Sequence, residues 1–468
     1  MTTQSTTPTP DSVLNLADRL RPQLGSGFRD EMVSSLYTEA ERIANRAVSS
    51  GTTRKWDFDQ RIDRLVTSPI FGLPIMLLIL AAVFWITIIG ANVPSQLIAN
   101  ALFWVEDQAA ALFTAIGLPW WVTGFIWHGV YRGLAWVVSV MLPPMAIFFP
   151  VFTILEDLGY LPRVAFNLDW LFKRSGAHGK QALTMAMGFG CNAAGVVATR
   201  VIDSPRERLI AILTNNFVPC NGRFPTLILL ATVFVAASFP PAVASFIAAG
   251  SVVGVVLIGA FFTLVVSWVL SRTILKGEAS AFTLELPPYR RPNILRILYT
   301  SLIDRTIFVL WRAIQTAAPA GAVIWLLANI NVSGTSLALH VANFLNPFGH
   351  LLGLDGTILL AYIIAIPANE IVVPTMMMVY SGVGMMTDPG GFNLFTFLTG
   401  EHGWTLLTAV NLMLFSLLHN PCATTILTIY KETRSVRWAT LSVIITLGLA
   451  FLVTFVVASV VRLAGFPG

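Results

Sequence analysis

Apolar runs long enough to cross a bilayer dominate the chain, at 69–91, 122–155, 181–199, 207–237, 241–271, 306–331, 357–380, 404–430 and 438–462. Each approaches or exceeds the roughly 20 residues that a spanning helix needs. Several are interrupted by Gly or Pro, which predicts about eight to eleven membrane helices, some of them half-helices. The run at 122–155 is too long for one crossing and is expected to break near Pro143-Pro144. Ahead of the first run, residues 1–10 are polar and read as a disordered tail with no secretory signal. From Asp11 onward the pattern turns amphipathic, with Leu14, Leu16, Leu20, Met32, Leu36, Ala40, Ile43 and Ala47 at helical spacing. The expected organisation is a tail at 1–10, cytoplasmic amphipathic helices at 11–65, and two membrane halves at 66–280 and 281–468. The fold class this implies is all-α, a polytopic membrane protein.

The two halves carry a repeat. Gly176, Gly179 and Asn192 recur as Gly353, Gly356 and Asn369 at one constant offset of 177 (353 − 176). Both copies read as a Gly-x-x-Gly turn, an apolar run and a polar break. A second pair of elements follows, marked by Pro219-Cys220 and Pro421-Cys422, where the offset has grown to 202 (422 − 220). Broken helices in paired halves are how many carriers build a site at mid-membrane. The offset leaves open whether the halves run parallel or inverted.

Composition agrees with the pattern: 55% of residues are hydrophobic and 11% charged. The formal net charge of +5 sits in short segments between apolar runs, which argues for membrane loops and against nucleic acid. The basic stretch Arg54, Lys55, Arg61 and Arg64 precedes the first span and predicts a cytoplasmic N-terminus. Loops near 92–121, 332–356 and 383–403 have almost no Lys or Arg and should face outward.

The candidate chemistry lies in the breaks. The only three cysteines are Cys191 in Gly188-Phe189-Gly190-Cys191-Asn192, Cys220 in Val218-Pro219-Cys220-Asn221-Gly222 and Cys422 in His419-Asn420-Pro421-Cys422. Their wide spacing and apolar setting predict free thiols rather than disulfides. Thiolates beside freed backbone carbonyls would suit a soft or borderline transition-metal cation, although a lone Cys in an apolar span is commonly just a small hydrophobe. Glu370 is an ionisable group within a span, which is costly and points to function, with a protonated or Arg-paired structural acid as the other reading. Asn192 and Asn369 could offer amide oxygens or simply cap helices. Met376, Met377 and Met378 are read as core. Glu156-Asp157 reads as either an acidic funnel or a helix cap. The histidines show no zinc-site spacing, and no hydrolytic triad is present, so the chain is not expected to be an enzyme.

Leu155-Glu156-Asp157-Leu158-Gly159-Tyr160, Gly176-Ala177-His178-Gly179-Lys180, Met187-Gly188-Phe189-Gly190-Cys191-Asn192, Ala198-Thr199-Arg200, Arg206-Glu207-Arg208-Leu209 and Pro421-Cys422-Ala423-Thr424-Thr425-Ile426 occur in order along the chain. Together they resemble the membrane region of the ferrous iron transporter B (FeoB) family, over about Arg54 to Arg462. The resemblance implies two gate-type halves in a bacterial cell membrane and Fe(II) as the transported ion, moving along a path lined by Cys191, Cys220, Cys422 and Glu370, with Asn192 and Asn369 beside it. It implies no permanently bound cofactor. Family members normally carry a fused GTP-binding domain, yet this sequence has no Gly-x-x-x-x-Gly-Lys-Ser/Thr loop and no Asn-Lys-x-Asp motif, hence no GTP site in this chain. A separate G protein docking on residues 11–65 is the expected partner besides the lipid bilayer; a homo-oligomer is compatible with the sequence. The alternatives are a carrier of nucleosides or another small organic solute, and a non-transporting membrane scaffold.

Overall fold

A helix satisfies its own backbone groups inside lipid, and the chain uses almost nothing else. The computed structural model describes residues 28–47, 58–68, 70–277, 289, 292–332, 334–386 and 394–465. The expected tail at 1–10, the start of the amphipathic region at 11–27 and residues 387–393 of the loop near 383–403 lie outside the described residues. Among the described residues the only strands are the two-residue pair Asn331–Val332 and Thr335–Ser336.

Two short helices precede the membrane, α1 (Phe28–Ala47) and α2 (Phe58–Val66). On α2, Asp63 meets the buried Arg163 in two contacts, Nε to Oδ1 at 2.9 Å and Nη2 to Oδ2 at 3.3 Å. These hydrogen bonds hold the Asp63 carboxyl below its ordinary value against the opposing effect of burial. Then follow α3 (Gly72–Ala115) and α4 (Trp120–Asp157), the latter with a π-helical stretch over Gly124–Tyr131. The expected break at Pro143-Pro144 does not occur. The helix runs on through Pro143, Pro144 and Pro150, and at 38 residues it outreaches the hydrocarbon core. Helix-breaking prolines are tolerated in membrane helices that are packed against neighbours.

The first half continues with α5 (Tyr160–Arg174), α6 (Gln181–Gly190), α7 (Asn192–Ala198), α8 (Pro205–Thr214), α9 (Phe224–Val235) and α10 (Pro241–Arg272). The second half holds α11 (Ile294–Thr300), α12 (Phe308–Asn329), α13 (Leu337–Leu351), α14 (Gly356–Ile364), α15 (Val372–Ser381), α16 (Leu406–Leu418), α17 (Ala423–Thr433) and α18 (Val436–Leu463). By length and composition five stretches among the described residues can cross a membrane, or six if α13 with α14, bent by 111°, counts as one. The remaining apolar runs of the sequence are shorter helices and broken pieces.

The repeat is structural. α5 and α13 begin and end at the same offset of 177 (337 − 160 and 351 − 174). Each is followed by a glycine in the left-handed region, Gly176 at φ 70° and Gly353 at φ 67°, a conformation other residues enter at a cost. One turn later Gly179 N donates to Asp169 Oδ1 at 3.1 Å, and Gly356 N donates to Asn346 Oδ1 at 2.9 Å. Both copies then run a half-helix into one extended residue, Cys191 (φ −155°, ψ 125°) and Ala368 (φ −152°, ψ 116°).

These breaks are the tips of re-entrant hairpins. Lys180, before α6, pairs through Nζ with Asp203, after α7, at 2.9 Å, so the chain comes back to the side it entered from. In the second copy the Tyr380 hydroxyl, at the end of α15, donates to Asp355, the N-cap of α14. The runs at 181–199 and 357–380 are therefore hairpins and not spans.

The two hairpins enter from opposite sides. α4 and α12 are antiparallel: Gly133 packs against Gly321, where a methyl group would sit 2.9 Å from the facing Cα, and at the other end Ser301 Oγ meets Thr153 Oγ1 at 3.2 Å. The first hairpin follows the C-terminal end of α4. The second follows the C-terminal end of α12, where Asn329 Nδ2 donates to Gly384 O at 2.7 Å. The halves are thus inverted repeats, and the hairpin tips meet in the middle of the molecule.

Candidate functional site

Where the tips meet, a cavity of about 30 Å³ is walled by both hairpins and both broken spans. A space of that size admits one or two water-sized particles. Cys191 and Asn192 come from the first tip, and Ala368, Asn369 and Glu370 from the second. Cys220 and Gly222 come from the break between α8 and α9, and Cys422 and Thr424 from the break between α16 and α17. Met141 of α4 and Ala313 of α12 close the sides. All six residues singled out from the sequence therefore line one cavity, although they are spread over more than two hundred positions.

Local sequence explains each break. Gly188 and Gly190 bring the first tip close to its neighbours, and Asn192 starts α7 in the same way that Asn369 starts the turn leading to α15. Pro219 and Pro421 have no N–H to continue a helix. The carbonyl that Pro421 leaves free, Leu417 O, is not open to the cavity. It accepts from Arg223 Nη1 at 2.8 Å.

Arg223 was not singled out by sequence reasoning, and it ties the two breaks together. Its side chain is 1% exposed. Nη1 also donates to Asn216 O at 2.8 Å, and Nη2 donates to Asn216 Oδ1 at 3.2 Å and His419 O at 3.1 Å. The guanidinium thus caps chain ends from both halves with no carboxylate partner among the described residues. Asn216 Nδ2 donates to His419 O at 2.8 Å, and the amides of Asn192 and Asn216 meet at 3.1 Å. His419 Nε2 lies 3.2 Å from the Asn369 amide oxygen. The signal for Arg223 was in the sequence, since an Arg inside an apolar run is a functional candidate by default.

The remaining donors differ in how far they are engaged. The three thiols are free, and Cys422 Sγ approaches Thr425 Oγ1 at 3.2 Å. Glu370 is half-buried and has no basic side chain paired with it among the described residues. Both asparagines are engaged in the network that holds the tips, so their amides shape the cavity as well as line it. Among the described residues no three His, Cys, Asp or Glu side chains converge closely enough to hold a metal ion. The arrangement is a cavity wall carrying soft and acidic groups and, among the described residues, not a closed metal cage. Met376, Met377 and Met378 are buried in the core. Glu156 and Asp157 are exposed at the far end of α4, away from the cavity.

The family model described as "Nucleoside recognition" (Gate) matches residues 138–234 and 310–436, the two segments that hold the hairpins and breaks. A model described as "Ferrous iron transport protein B C terminus" matches residues 252–304. Both matches are to parts of the FeoB membrane region. It is similar to the Fe(2+) transporter FeoB of Staphylococcus aureus (strain COL), 29% identical over 457 residues, which are 94% of this chain and 65% of the relative. The Fe(2+) transporter FeoB of Synechocystis sp. is 30% identical over 400 residues, 84% of this chain and 62% of the relative. A Porphyromonas gingivalis protein, a fusion of Fe(2+) transport protein A with FeoB, is 26% identical over 444 residues, 85% of this chain and 51% of the relative. The chain thus spans just under two thirds, or less, of the length of these relatives. No solved structure matches.

Proposed function

We propose that this FeoB-family region carries ferrous iron across the cell membrane, passing the ion between the tips of its two inverted hairpins. The observation that carries the reading is the convergence of Cys191, Cys220, Cys422 and Glu370 on one small cavity at the meeting point of the halves. Three sulfurs and one carboxylate are a donor set for a borderline divalent cation. Their failure to form a closed three-ligand group suits an ion that must also leave. An incoming Fe(II) would shed water against the thiols and displace their protons. Glu370, with no basic partner among the described residues, would supply the balancing negative charge. The relatives named as Fe(2+) transporters support the cargo assignment.

Cavity size argues against the organic-solute alternative. Small-molecule pockets are typically about 300–1,000 Å³, an order of magnitude above the 30 Å³ between the tips. A scaffold with no transport role would leave the convergence of the thiols unexplained.

The basic stretch before α3 and the Lys- and Arg-poor loops support a cytoplasmic N-terminus. Energy or control comes from a separate GTP-binding protein acting on residues 11–65, where α1 leaves Met32, Leu36 and Ile43 exposed. The fused transport protein A in the Porphyromonas gingivalis relative supports a family chain working alongside other polypeptides.

The test is anaerobic uptake of radiolabelled Fe(II) into proteoliposomes holding this chain, beside a variant carrying Cys191→Ser, Cys220→Ser and Cys422→Ser. Flux that the variant loses is the expected result. Equal flux in both sinks the thiol path. Absence of flux even with a GTP-loaded partner sinks the transport reading.

A further inference from the structure

The cavity is closed on the side where the first hairpin enters, and the closure has two layers. α7 starts at the cavity with Asn192, and α17 starts there just after Cys422; the two helices then pack against each other as they leave. Below the cavity, Val196 of α7, Ile212 of α8, Ile429 of α17 and Ala439 of α18 form an apolar cluster of their own, each 6% exposed or less, with Ile426 packed against it. Beyond this plug Arg200, in the turn that follows α7, grips Glu432 near the end of α17. Nε lies 2.9 Å from Oε2 and Nη2 2.7 Å from Oε1, across 232 positions of sequence. Glu432 lies ten positions after Cys422 (432 − 422), or about 15 Å along a helix. Among the ion pairs of the described residues this one joins a hairpin to the opposite half; Lys180–Asp203 stays within its own hairpin.

We infer that the seam between α7 and α17 is a gate of the ion path, with Val196, Ile212 and Ile429 as its dry barrier and Arg200–Glu432 as its latch. An apolar constriction bars a hydrated cation by excluding water. Such a barrier opens only when the helices separate. The bidentate pair sits where it opposes that separation; the Glu432 side chain is 11% exposed and the Arg200 side chain 67%, so its planar two-point geometry, and not burial, is what sets it above an ordinary surface pair. Arg200 and Glu432 touch no ion; they are positioning residues that set how often the seam opens. The inference rests on the proposed transport reading for its meaning but not for its test.

The test reads the gate without transport. The reagent is a membrane-impermeant maleimide applied from the Arg200 side of the reconstituted protein, and Cys191 labelling is followed by peptide mass mapping in wild type, Arg200→Ala, Glu432→Ala and the swap Arg200→Glu with Glu432→Arg. Each alanine variant should label Cys191 roughly 5-fold faster, the factor that about 1 kcal/mol makes in an equilibrium. The swap should return towards the wild-type rate, which a merely misfolded protein would not do. Unchanged labelling in the alanine variants, or a swap that labels as fast as they do, overturns the latch. Fe(II) flux measured on the same vesicles separates the readings: no flux in any of the proteins refutes the iron path, while the labelling pattern still decides the gate.

Discussion

The carboxylate of Glu370, on the tip of the second hairpin, rests against Gly222 in the first half's broken span. A methyl group placed on Gly222 would lie 2.6 Å from Glu370 Cδ and closer still to Oε1. The contact is made across the cavity wall between halves, so it ties the acid's position to the backbone of the opposite repeat. Gly222→Ala should therefore push Glu370 off its position while leaving the helices intact. What must give way is the far end of a flexible side chain, so the cost in stability is small. The expected outcome is a large loss of Fe(II) flux with only a modest fall in melting temperature. Flux that persists unchanged would show that Glu370 need not stand where it does.

Arg223 gives a second prediction, on stability. Its planar fork reaches Asn216 O, Leu417 O and His419 O at once, which a lysine ammonium on a single stem cannot do. Arg223→Lys leaves at least one buried carbonyl without a donor, and each such loss is worth about 1–3 kcal/mol. Thermal unfolding in detergent should show Arg223→Lys clearly below wild type and Arg223→Met lower still, since the methionine leaves every one of these oxygens without its guanidinium donor. Melting temperatures equal to wild type would mean that the two breaks hold together without this clasp.

The sequence revealed the repeat because it survives in residues with few substitutes: the left-handed glycines Gly176 and Gly353, and the asparagines Asn192 and Asn369 at the starts of the exit arms. It did not reveal the direction of the halves. Direction depends on how many times the chain crosses between them, and the hairpins at 181–199 and 357–380 are apolar enough to count as crossings. Only the Lys180–Asp203 and Tyr380–Asp355 contacts show that the chain turns back. The break expected at Pro143-Pro144 failed for a related reason: proline removes a donor, but packing decides whether the helix bends. The donors of the site were legible as residue types; Arg223, although a charge inside an apolar run signals it, was passed over along with Asn216 and His419, because a search for cargo ligands passes over the groups that hold the backbone.

On the side of the membrane opposite Arg200, Glu106 of α3 is 1% exposed and binds two groups at the start of α4. His128 Nδ1 lies 2.6 Å and Arg132 Nη1 3.1 Å from Glu106 Oε1. Arg132 Nη1 also reaches Met385 Sδ at 2.9 Å, so the cluster spans α3, α4 and the second half. Glu106→Leu removes the acid of this cluster and leaves the Arg132 charge half-buried, a change that costs up to about 3–5 kcal/mol where the pair is fully enclosed. Arg132 keeps some access to solvent, so the loss should fall below that range. The double change Glu106→Leu with Arg132→Met should recover part of it in thermal unfolding; a double variant no more stable than the single one would show that the Glu106–Arg132 pair contributes little.

The contact between α2 and the membrane region carries a pH dependence whose sign follows from Asp63. Arg163 holds the Asp63 carboxyl below its ordinary value of 3.8. A carboxyl with a lowered folded value adds stability that is complete above its unfolded value and fades as pH falls through the folded one. Protonation then leaves the Arg163 charge, 1% exposed, facing, among the described residues, Gly159 O at 2.6 Å and the Tyr289 ring, 3.9 Å from its Cζ. Hydrogen exchange over Phe58–Val66, corrected for the intrinsic rate, should show protection that is flat from neutral pH down to about 4 and lost below it. Asp63→Asn should abolish that step, with weaker protection at every pH because the amide accepts from Arg163 without a charge. A wild-type profile that stays flat below about 4, or an Asp63→Asn variant that keeps the step, would assign the docking of α2 to other contacts, the foremost being the Asn167 amide, whose Nδ2 donates to Val66 O at 2.8 Å.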